Sequence, residues 1–483
     1  MLRTVGKTPD RTAEAHRWLR KDLGGDRALV APGNPPTATQ WDSREGQAPT
    51  LNHVKNILLR ARKDPFEVMS AEDTLSRNKI ANNSGNLIFY AAAYKILATR
   101  GTTVTADGLH TEPDSAAEIN ERYDAYVFPL ANAFRPSYQR KLDRTTQLIK
   151  QLDIPVTVLG VGAQSGQGRY NTKRLASIEG SVRAFVSAVL DRSPSIGVRG
   201  EVTYNYLRGL GFRDVEVIGC PSMFFDGDRM AIEKRTPTLE PDAALAINVT
   251  PYVKQMGEIV MSHHARYPNL RYIPQDLDTL ELLLWGEKTG VARPADERMP
   301  FHTSHPLFVE NKIRFFIDAM PWLEHLRTAD FAFGSRIHGN IAALLAGTPS
   351  YVLVHDSRTL ELAEYFEIPH RLISDMTPDT DAAKLYAEAD YTALNRGHAA
   401  RFATFVDFLS RHGLHHVFAE GEDPTLFDRQ VAQTDYPPAV ESRGPAWTES
   451  INRRIKRLQF RASRLRRNRK NLARDTAEDQ LAG

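Results

Sequence analysis

Gly334-Ser335-Arg336-Ile337-His338-Gly339 lies between two apolar runs, Asp330 to Phe333 and Asn340 to Ala346. The first run predicts a buried strand and the second a helix. In an open α/β sheet, ligands bind where strands end and helices begin. The helix start offers free N–H groups, Arg336 a planar fork for carboxylate or phosphate, and His338 a proton carrier. The stretch therefore predicts an anion site beside an acid or base. The alternative is that Ser335 only caps the helix while the other two side chains face solvent or loops.

Strands and helices alternate on both sides of this stretch. One series has strands at 124–129, 155–162, 195–199 and 215–218, with helices at 139–151, 181–190 and 202–210. The other has strands at 245–249, 270–274 and 350–354, with helices at 254–266, 277–285 and 358–366. Such alternation is typical of parallel sheets covered by helices. Two series in tandem predict an α/β fold with two Rossmann-like domains facing across a cleft.

Composition changes divide the chain into five predicted segments. They are an N-terminal extension 1–80, a first Rossmann-like domain 81–228, a second one 240–427, a linker 428–450 and a basic helical tail 451–483. We expect a helix at 53–63 within the extension, and helices between 381 and 411 to finish the second domain.

The composition is that of a globular protein and contains no long apolar segment. The 483 residues are 41% hydrophobic and 25% charged, and too many for one core. The first residues lack the apolar core of a signal peptide, so we expect a cytoplasmic protein. The single cysteine, Cys220, excludes intramolecular disulfides and is expected to be a small buried residue.

Positive charge is concentrated in the tail. Residues 453–474 contain eleven Lys or Arg and no acid, so the remaining 51 basic residues face 59 acidic ones, a net charge of −8. Six apolar residues recur at helical spacing, which predicts a basic amphipathic helix: Ile451, Ile455, Leu458, Ala462, Leu465 and Leu472. Such a helix suits an anionic membrane surface at residues 451–474, and packing on the acidic body is equally favoured. Nucleic acid is the least favoured partner, because the body has no basic surface to extend the site.

Other strand ends carry further candidate residues. Gly160 to Ser165 begins like a dinucleotide fingerprint but lacks its third glycine, so NAD is rejected, and Gly162 with Gln164 is expected to approach a ligand. Arg199 also ends a strand, although pairing with Glu201 or Asp214 is the favoured interpretation from the residues alone. Small polar residues precede a helix and suit either a sugar or anion cradle or helix caps: Asn83, Ser84, Gly85 and Asn86.

Two further patterns concern a helix cap and metals. Ser357 is expected to be the N-cap of the next helix, beside Arg358. No histidine pair is completed by a carboxylate or cysteine into a zinc pattern, so we expect no metal.

Taken together, these motifs resemble the polysaccharide pyruvyl transferase family. Gly334 to Gly339, Ala346-Gly347-Thr348-Pro349 and Asp356-Ser357-Arg358 are similar in order and spacing to its C-terminal signature. Val198 to Glu201, Gly219-Cys220-Pro221, Ser84 to Asn86 and Gly160 to Gln164 resemble its other blocks. The resemblance covers about residues 81–370. The chain departs from the family at Pro129 to Arg135, where members often carry a glycine-rich turn.

The resemblance implies a GT-B-like enzyme that uses phosphoenolpyruvate as co-substrate without a bound cofactor. It attaches pyruvate as a ketal to two hydroxyls of a sugar in a cell-surface glycan or its lipid-linked precursor. The first domain then binds the acceptor through Asn83, Ser84, Gly85, Asn86, Gly162 and Gln164. The second binds the donor through Ser335, Gly339, Ser357 and Arg358. His338 is expected to be the acid or base, with Arg336 and Arg199 on the donor's anionic groups.

Two other functions fit the same residues. One is a GT-B glycosyltransferase that uses a nucleotide sugar, with Arg336 on the diphosphate and Glu361 on the ribose. The other is a non-catalytic scaffold at the inner face of the plasma membrane, whose basic tail is the functional part.

Overall fold

A computed structural model describes residues 56–110, 112–164, 172–286, 296–376, 380–442 and 454–466. The strands are β1 Asn56–Leu59, β2 Thr103–Ala106, β3 Ala125–Pro129, β4 Val156–Leu159, β5 Ile196–Val198, β6 Val215–Val217, β7 Leu245–Asn248, β8 Leu270–Tyr272, β9 Arg314–Phe315, β10 Phe331–Gly334, β11 Ser350–Val354, β12 His370–Leu372 and β13 Val440–Glu441. The helices are α1 Ala71–Ser76, α2 Gly85–Leu97, α3 Ala116–Arg122, α4 Gln139–Ile149, α5 Glu179–Leu190, α6 Glu201–Gly209, α7 Gln255–Arg266, α8 Leu277–Trp285, α9 Pro306–Val309, α10 Ala319–Arg327, α11 Ile337–Leu345, α12 Ser357–Phe366, α13 Ala382–Glu388, α14 Thr392–Arg411 and α15 Leu426–Gln433. Residues 454–466 are also helical.

Apart from the short antiparallel pair β9-β13, the strands form two parallel sheets with the same internal order. The first has the order β2-β1-β3-β4, and the parallel pair β5-β6 continues it through a bridge between Val161 and Val198. The second has the order β12-β11-β10-β7-β8. This confirms the predicted α/β fold with two Rossmann-like sheets. In each sheet the direction of winding reverses beside the first strand, between β1 and β3 and between β7 and β10. Ligands bind at such switch points, outside the carboxyl ends of the strands.

The helix predicted at 53–63 is wrong. Asn56-Ile57-Leu58-Leu59 pairs in parallel with both β2 and β3, and its three apolar side chains are buried. Short apolar runs suit either a strand or a buried helix, and the neighbouring strands decide here. Part of the segment that was predicted as an extension, 1–80, is therefore a central strand. The rest of it up to residue 55 lies outside the described residues.

An apolar helix pair joins the two sheets. Almost every side chain of α2 is buried, and α2 packs on α11 from the second sheet. At the start of α2, Gly85 has no side chain, and a Cβ there would lie 2.9 Å from His338 Cβ of α11. Large side chains of α2 such as Phe89 are also buried, and burying each one stabilises the fold by about 1.5–3 kcal/mol. This packing fixes the start of α2 beside the start of α11.

Helix α14 contacts both sheets, which the sequence did not predict. Beside its first residue the Tyr391 hydroxyl donates to the Ser350 carbonyl oxygen of β11 (3.1 Å). After its last residue, His412 Nε2 lies 3.0 Å from the Ser195 carbonyl oxygen next to β5, and Arg411 pairs with Glu216 of β6. Helix α14 therefore links the second sheet to the first.

The described part of the tail is a helix anchored on the body. The ring of Phe460 lies 4.8 Å from that of Trp285, and Arg464 Nη1 donates to Glu281 Oε2 at 2.8 Å. Residues 443–453 and 467–483 of the predicted linker and tail lie outside the described residues. Across the described ranges, no helix is long and apolar enough to span a bilayer.

Candidate functional site

A cavity of about 470 Å³ lies at the carboxyl edges of both sheets, at the β7/β10 switch point. Seven of the residues singled out from sequence line it: Asn83, Asn86, Gln164, Arg199, Arg336, His338 and Arg358. We call it the first cavity. The structure thus brings strand-end residues from the two sheets to one place.

Arg336 is held in a fixed orientation at the start of α11. Its Nε donates to the Val249 carbonyl oxygen (3.1 Å), and its Nη2 forms an ion pair with Asp276. Burial disfavours the guanidinium charge, but the Asp276 carboxylate outweighs this effect and raises the pKa of Arg336. The guanidinium therefore stays charged and is oriented before any ligand arrives.

His338 is the second residue of α11 and lines the same cavity. Its ring packs on that of Phe89 at 5.7 Å, and its Nε2 is 3.7 Å from Cys220 Sγ. Burial, together with the charges of Arg199 and Arg358, lowers the pKa of His338 to about 3. The imidazole is therefore neutral near pH 7 and can accept a proton.

Arg199 is completely buried at the end of β5. Its Nε and Nη2 both donate to the Gly160 carbonyl oxygen (3.2 Å each), and Nη1 has no hydrogen-bond partner among the described residues. The pairing with Glu201 or Asp214 that the residues alone favoured is not formed. Burial lowers the pKa of Arg199 to about 10, so it remains charged near pH 7. A buried, charged donor without a partner suits an anionic ligand.

Gly162 makes room for Arg199. A Cβ at residue 162 would lie 2.5 Å from Arg199 Cδ. Gly162 therefore supports the site by packing.

Asp356 connects Arg358 with the first sheet. Its Oδ2 lies 3.3 Å from Arg358 Nη2 and accepts from Gln164 Nε2 at 3.3 Å. Its Oδ1 accepts from the Thr359 N–H (2.8 Å), so Asp356 is the N-cap of α12 and the assignment of Ser357 to that role is wrong. Burial would raise the pKa of Asp356, but Arg358 and these hydrogen bonds hold it at about 2. Ser357 is buried as the first residue of α12.

Four predicted site residues lie behind the cavity wall. The Ser335 hydroxyl accepts from the Thr250 N–H (2.9 Å), and the Ser84 N–H donates to the Gln275 carbonyl oxygen (2.9 Å). A Cβ on Gly339 would lie 2.5 Å from Gln275 Nε2, and one on Gly85 would lie 2.9 Å from His338 Cβ. A larger side chain at residue 85 would push α2 away from α11, and one at residue 339 would displace Gln275.

Glu361 does not face the cavity. It is buried and accepts from the Thr203 N–H (2.8 Å) and hydroxyl (3.1 Å) at the start of α6. Burial raises the pKa of Glu361 to about 7. The ribose contact that the nucleotide-sugar alternative assigned to Glu361 is therefore wrong for this structure.

Sequence reasoning missed several cavity residues. Asp276 follows β8, while Asn132 and Arg135 follow β3, and all three line the cavity together with Tyr252. The strand-end rule that selected Arg336 could have found the first three. Burial and the neighbouring Arg358 lower the pKa of Arg135.

The lining of the first cavity is rich in positive charge. Four guanidiniums line it, from Arg135, Arg199, Arg336 and Arg358, and Asp276 is the one acid among the described lining residues. A neutral imidazole stands among them. The arrangement can bind a ligand with two anionic groups and exchange a proton with it. Among the described residues, no group of three His, Cys, Asp or Glu is placed to hold a metal ion.

Comparison with known proteins gives one family and several distant structures. The family model for polysaccharide pyruvyl transferase matches residues 83–357. No curated protein sequence matches the chain. Among solved structures, MnaA of S. aureus with UDP is 11% identical, with 80% of this chain and 99% of that chain covered and a TM-score of 0.35. The UDP-GlcNAc 2-epimerase of Methanocaldococcus jannaschii is 11% identical, with 74% and 99% covered and a TM-score of 0.36. The glycosyltransferase SnogD from Streptomyces nogalater is 11% identical, with 78% and 99% covered and a TM-score of 0.29.

Proposed function

Because the chain belongs to the polysaccharide pyruvyl transferase family, we propose that it transfers pyruvate from phosphoenolpyruvate to two hydroxyls of a sugar, forming a ketal. The acceptor is a cell-surface glycan or its lipid-linked precursor, and the enzyme works in the cytoplasm on cell-envelope and exopolysaccharide biosynthesis. The observation that carries the proposal is the first cavity, where four guanidiniums surround His338. Phosphoenolpyruvate has a carboxylate and a phosphate, two groups that guanidiniums bind in bidentate fashion.

The reaction needs one proton carrier and two anion holders. The methylene carbon of the enol takes a proton, and a sugar hydroxyl attacks the central carbon and loses its proton. The phosphate then leaves with the bonding electron pair, and the second hydroxyl takes its place. Of the two hydroxyl protons, one ends on the new methyl group and the other on inorganic phosphate.

We assign the transfer of these protons to His338. Because it is neutral near pH 7, it can first accept the proton of the attacking hydroxyl. The donor's anionic groups would offset the charges of Arg199 and Arg358, which raises the pKa of His338 and lets it hold the proton for transfer. Arg336 and Arg358 bind the donor, and the phosphate gains stabilisation there as it leaves.

A comparison of donors tests this function. Phosphoenolpyruvate should raise the melting temperature of the protein, because ligand at 100 times its Kd stabilises by about 2.7 kcal/mol, whereas UDP-N-acetylglucosamine should not. Inorganic phosphate should then be released from phosphoenolpyruvate in the presence of the correct glycan acceptor. Stabilisation by the nucleotide sugar alone would contradict the proposal and favour the glycosyltransferase alternative.

The tail helix supports a second component, contact with an anionic membrane. Ile455, Leu458 and Leu465 are 47%, 54% and 69% exposed on one face of residues 454–466, whereas Phe460 on the other face packs on the body. The body therefore leaves the apolar face uncovered, and basic residues flank it. Each Lys or Arg near an anionic lipid surface contributes about 1 kcal/mol.

Vesicle sedimentation tests this contact. The double variant Leu458→Gln/Leu465→Gln should lose binding to phosphatidylglycerol vesicles, while Val309→Gln, which changes another exposed apolar residue (55% exposed), should retain it. Phosphatidylcholine vesicles should bind neither variant nor the parent protein. Turnover on a water-soluble acceptor should be unchanged in the double variant, whereas a scaffold would have no turnover to retain. Equal sedimentation of all variants would contradict the membrane contact.

A further inference from the structure

A second cavity of about 450 Å³ adjoins the first and lies at the switch point of the first sheet. Arg60 and Arg62 follow β1, Arg135 follows β3, and Lys141 is on α4. The two cavities share several lining residues: Ala81, Asn82, Asn86, Ala131, Asn132, Arg135 and Ser137. A ligand that extends from one cavity to the other would pass these residues.

Among the described residues, the lining of the second cavity contains four cations and no acidic side chain. Arg62 donates to three backbone carbonyls, of Arg77, Asn78 and Gly108, so its charge is oriented but not neutralised. Arg135 and Lys141 form no ion pair among the described residues. The cavity therefore has a net positive charge without a bound partner.

Arg60 is the most deeply placed of these cations. It is 4% exposed, its Nη2 donates to the Tyr138 hydroxyl (2.8 Å), and its Nε has no hydrogen-bond partner in the described part of the chain. Asp107, whose charge acts on Arg60, is not one of the lining residues and accepts hydrogen bonds from the Ala61 and Leu109 N–H groups. Even if Asp107 offsets Arg60, three cations remain.

Burial and the neighbouring cations disfavour the protonated form of Lys141. Burial, and then repulsion from Arg60, lowers the pKa of Lys141 to about 8. Gathered cations without an anion are costly in a folded protein, and an anionic ligand relieves the cost.

Aromatic rings stand among the cations. The Tyr138 ring lies 5.4 Å from the Arg135 guanidinium carbon and 5.8 Å from Lys141 Nζ, and Tyr90 and Phe89 complete the wall. Apolar ring faces beside hydrogen-bonding groups suit the faces and hydroxyls of a sugar.

We propose that the second cavity binds a phosphate group carried by the acceptor, so that the acceptor is a glycosyl phosphate or diphosphate and not a neutral saccharide. The inference rests on the proposed function, since it assigns the donor to the first cavity. The phosphate would sit among Arg60, Arg135 and Lys141, and the sugar would extend past Asn86 and Asn132 toward His338. Arg135 borders both cavities and therefore contacts both substrates.

Isothermal titration without turnover tests the assignment. N-acetylglucosamine 1-phosphate should bind the parent protein, and its methyl glycoside should bind at least tenfold more weakly. Lys141→Gln should weaken binding of the phosphate about tenfold to a hundredfold, the effect of losing one charge-assisted hydrogen bond. Lys150→Gln, on the exposed end of the same helix, is the matched control and should bind as the parent does. Phosphoenolpyruvate affinity should be unchanged in both variants.

Farnesyl diphosphate distinguishes the two sources of such a phosphate. Binding that Lys141→Gln weakens indicates a lipid-linked diphosphate, and binding of the sugar phosphate alone indicates a soluble one; either result supports the site. Equal binding of the sugar phosphate to parent and Lys141→Gln, or its loss only in Arg336→Gln, would overturn the assignment. If phosphoenolpyruvate fails to bind the parent protein, the proposed function fails, whereas its binding with no phosphate selectivity in the second cavity removes this inference alone.

Discussion

The two cavities lie at the same topological position in two sheets of the same strand order, but their charges are arranged differently. In the first cavity Arg336 pairs with Asp276, and Arg358 with Asp356. In the second, Lys141 forms no ion pair among the described residues, and neither does Arg135, which the two cavities share. An ion-paired guanidinium is held in one orientation, whereas an unpaired cation only contributes potential. The first cavity therefore suits a ligand that must react in a fixed geometry, and the second suits one that only needs to be anchored.

The largest effect should come from removing the imidazole of His338, which has no counterpart among the described lining residues of the second cavity. His338→Gln keeps the size and hydrogen-bonding capacity of the side chain but removes the proton carrier. Turnover should fall about 10²–10⁴-fold while the Kd for phosphoenolpyruvate changes little, because His338 acts on protons and not on the donor's charge. Single-turnover phosphate release and calorimetry measure the two quantities.

His302→Gln is the control for this prediction, since His302 is exposed and is not among the lining residues of the cavity. It should leave both quantities unchanged. Near-normal turnover in His338→Gln would remove His338 from the mechanism, and the two cavities would then differ only in how their cations are paired.

The next largest effect tests whether the ion pair between Arg336 and Asp276 contributes to donor binding and to stability. Arg336→Gln should weaken phosphoenolpyruvate binding about tenfold to a hundredfold and leave the Asp276 carboxylate unpaired, which costs about 1–3 kcal/mol of stability. Adding Asp276→Asn should restore much of the stability but not the affinity, because the unpaired charge is gone while the anion holder is still missing. Thermal unfolding and calorimetry on the cycle separate the two effects.

Arg327→Gln is the surface control, since its partner Glu324 is exposed and such pairs contribute little. Should Arg336→Gln bind phosphoenolpyruvate as tightly as the parent, the Arg336–Asp276 pair would be a structural link only.

The sequence predicted the first cavity better than the second for a physical reason. Phe331–Gly334 is a fully buried strand that runs into Arg336 and His338, so its hydrophobic pattern locates the strand end. By contrast, β1 is only four residues long, and its short apolar run is equally consistent with a buried helix. Without β1, the switch point of the first sheet cannot be located from sequence. Arg60 and Arg62 are then not recognised as residues at a strand end.

Contacts between distant segments were beyond the sequence patterns. The pairing of Arg336 with Asp276 joins residues 60 positions apart, and Gln164 reaches Asp356 across 192. Local spacing also favoured Ser357 as the helix cap, and only the folded chain shows that Asp356 takes this role while orienting Arg358. Residue types at strand ends could thus be selected from sequence, but their partners could not.

The smallest effect is a difference in pH dependence between the cavities. Lys141 has a pKa of about 8, below its usual 10.5 because of burial and Arg60, so it is mostly charged at pH 7 and mostly neutral at pH 9. Binding of N-acetylglucosamine 1-phosphate should therefore weaken about threefold to tenfold over this range. Phosphoenolpyruvate affinity should stay flat, because the guanidiniums of the first cavity keep their charge there and the pKa of Arg199 is about 10. The other titratable groups facing Lys141 are the guanidiniums of Arg60, Arg62 and Arg135 and the phenols of Tyr90 and Tyr138, with Asp107 behind them. Lys141→Gln should abolish the dependence; if it persists in that variant, one of these groups carries it, and the unpaired lysine no longer distinguishes the second cavity from the first.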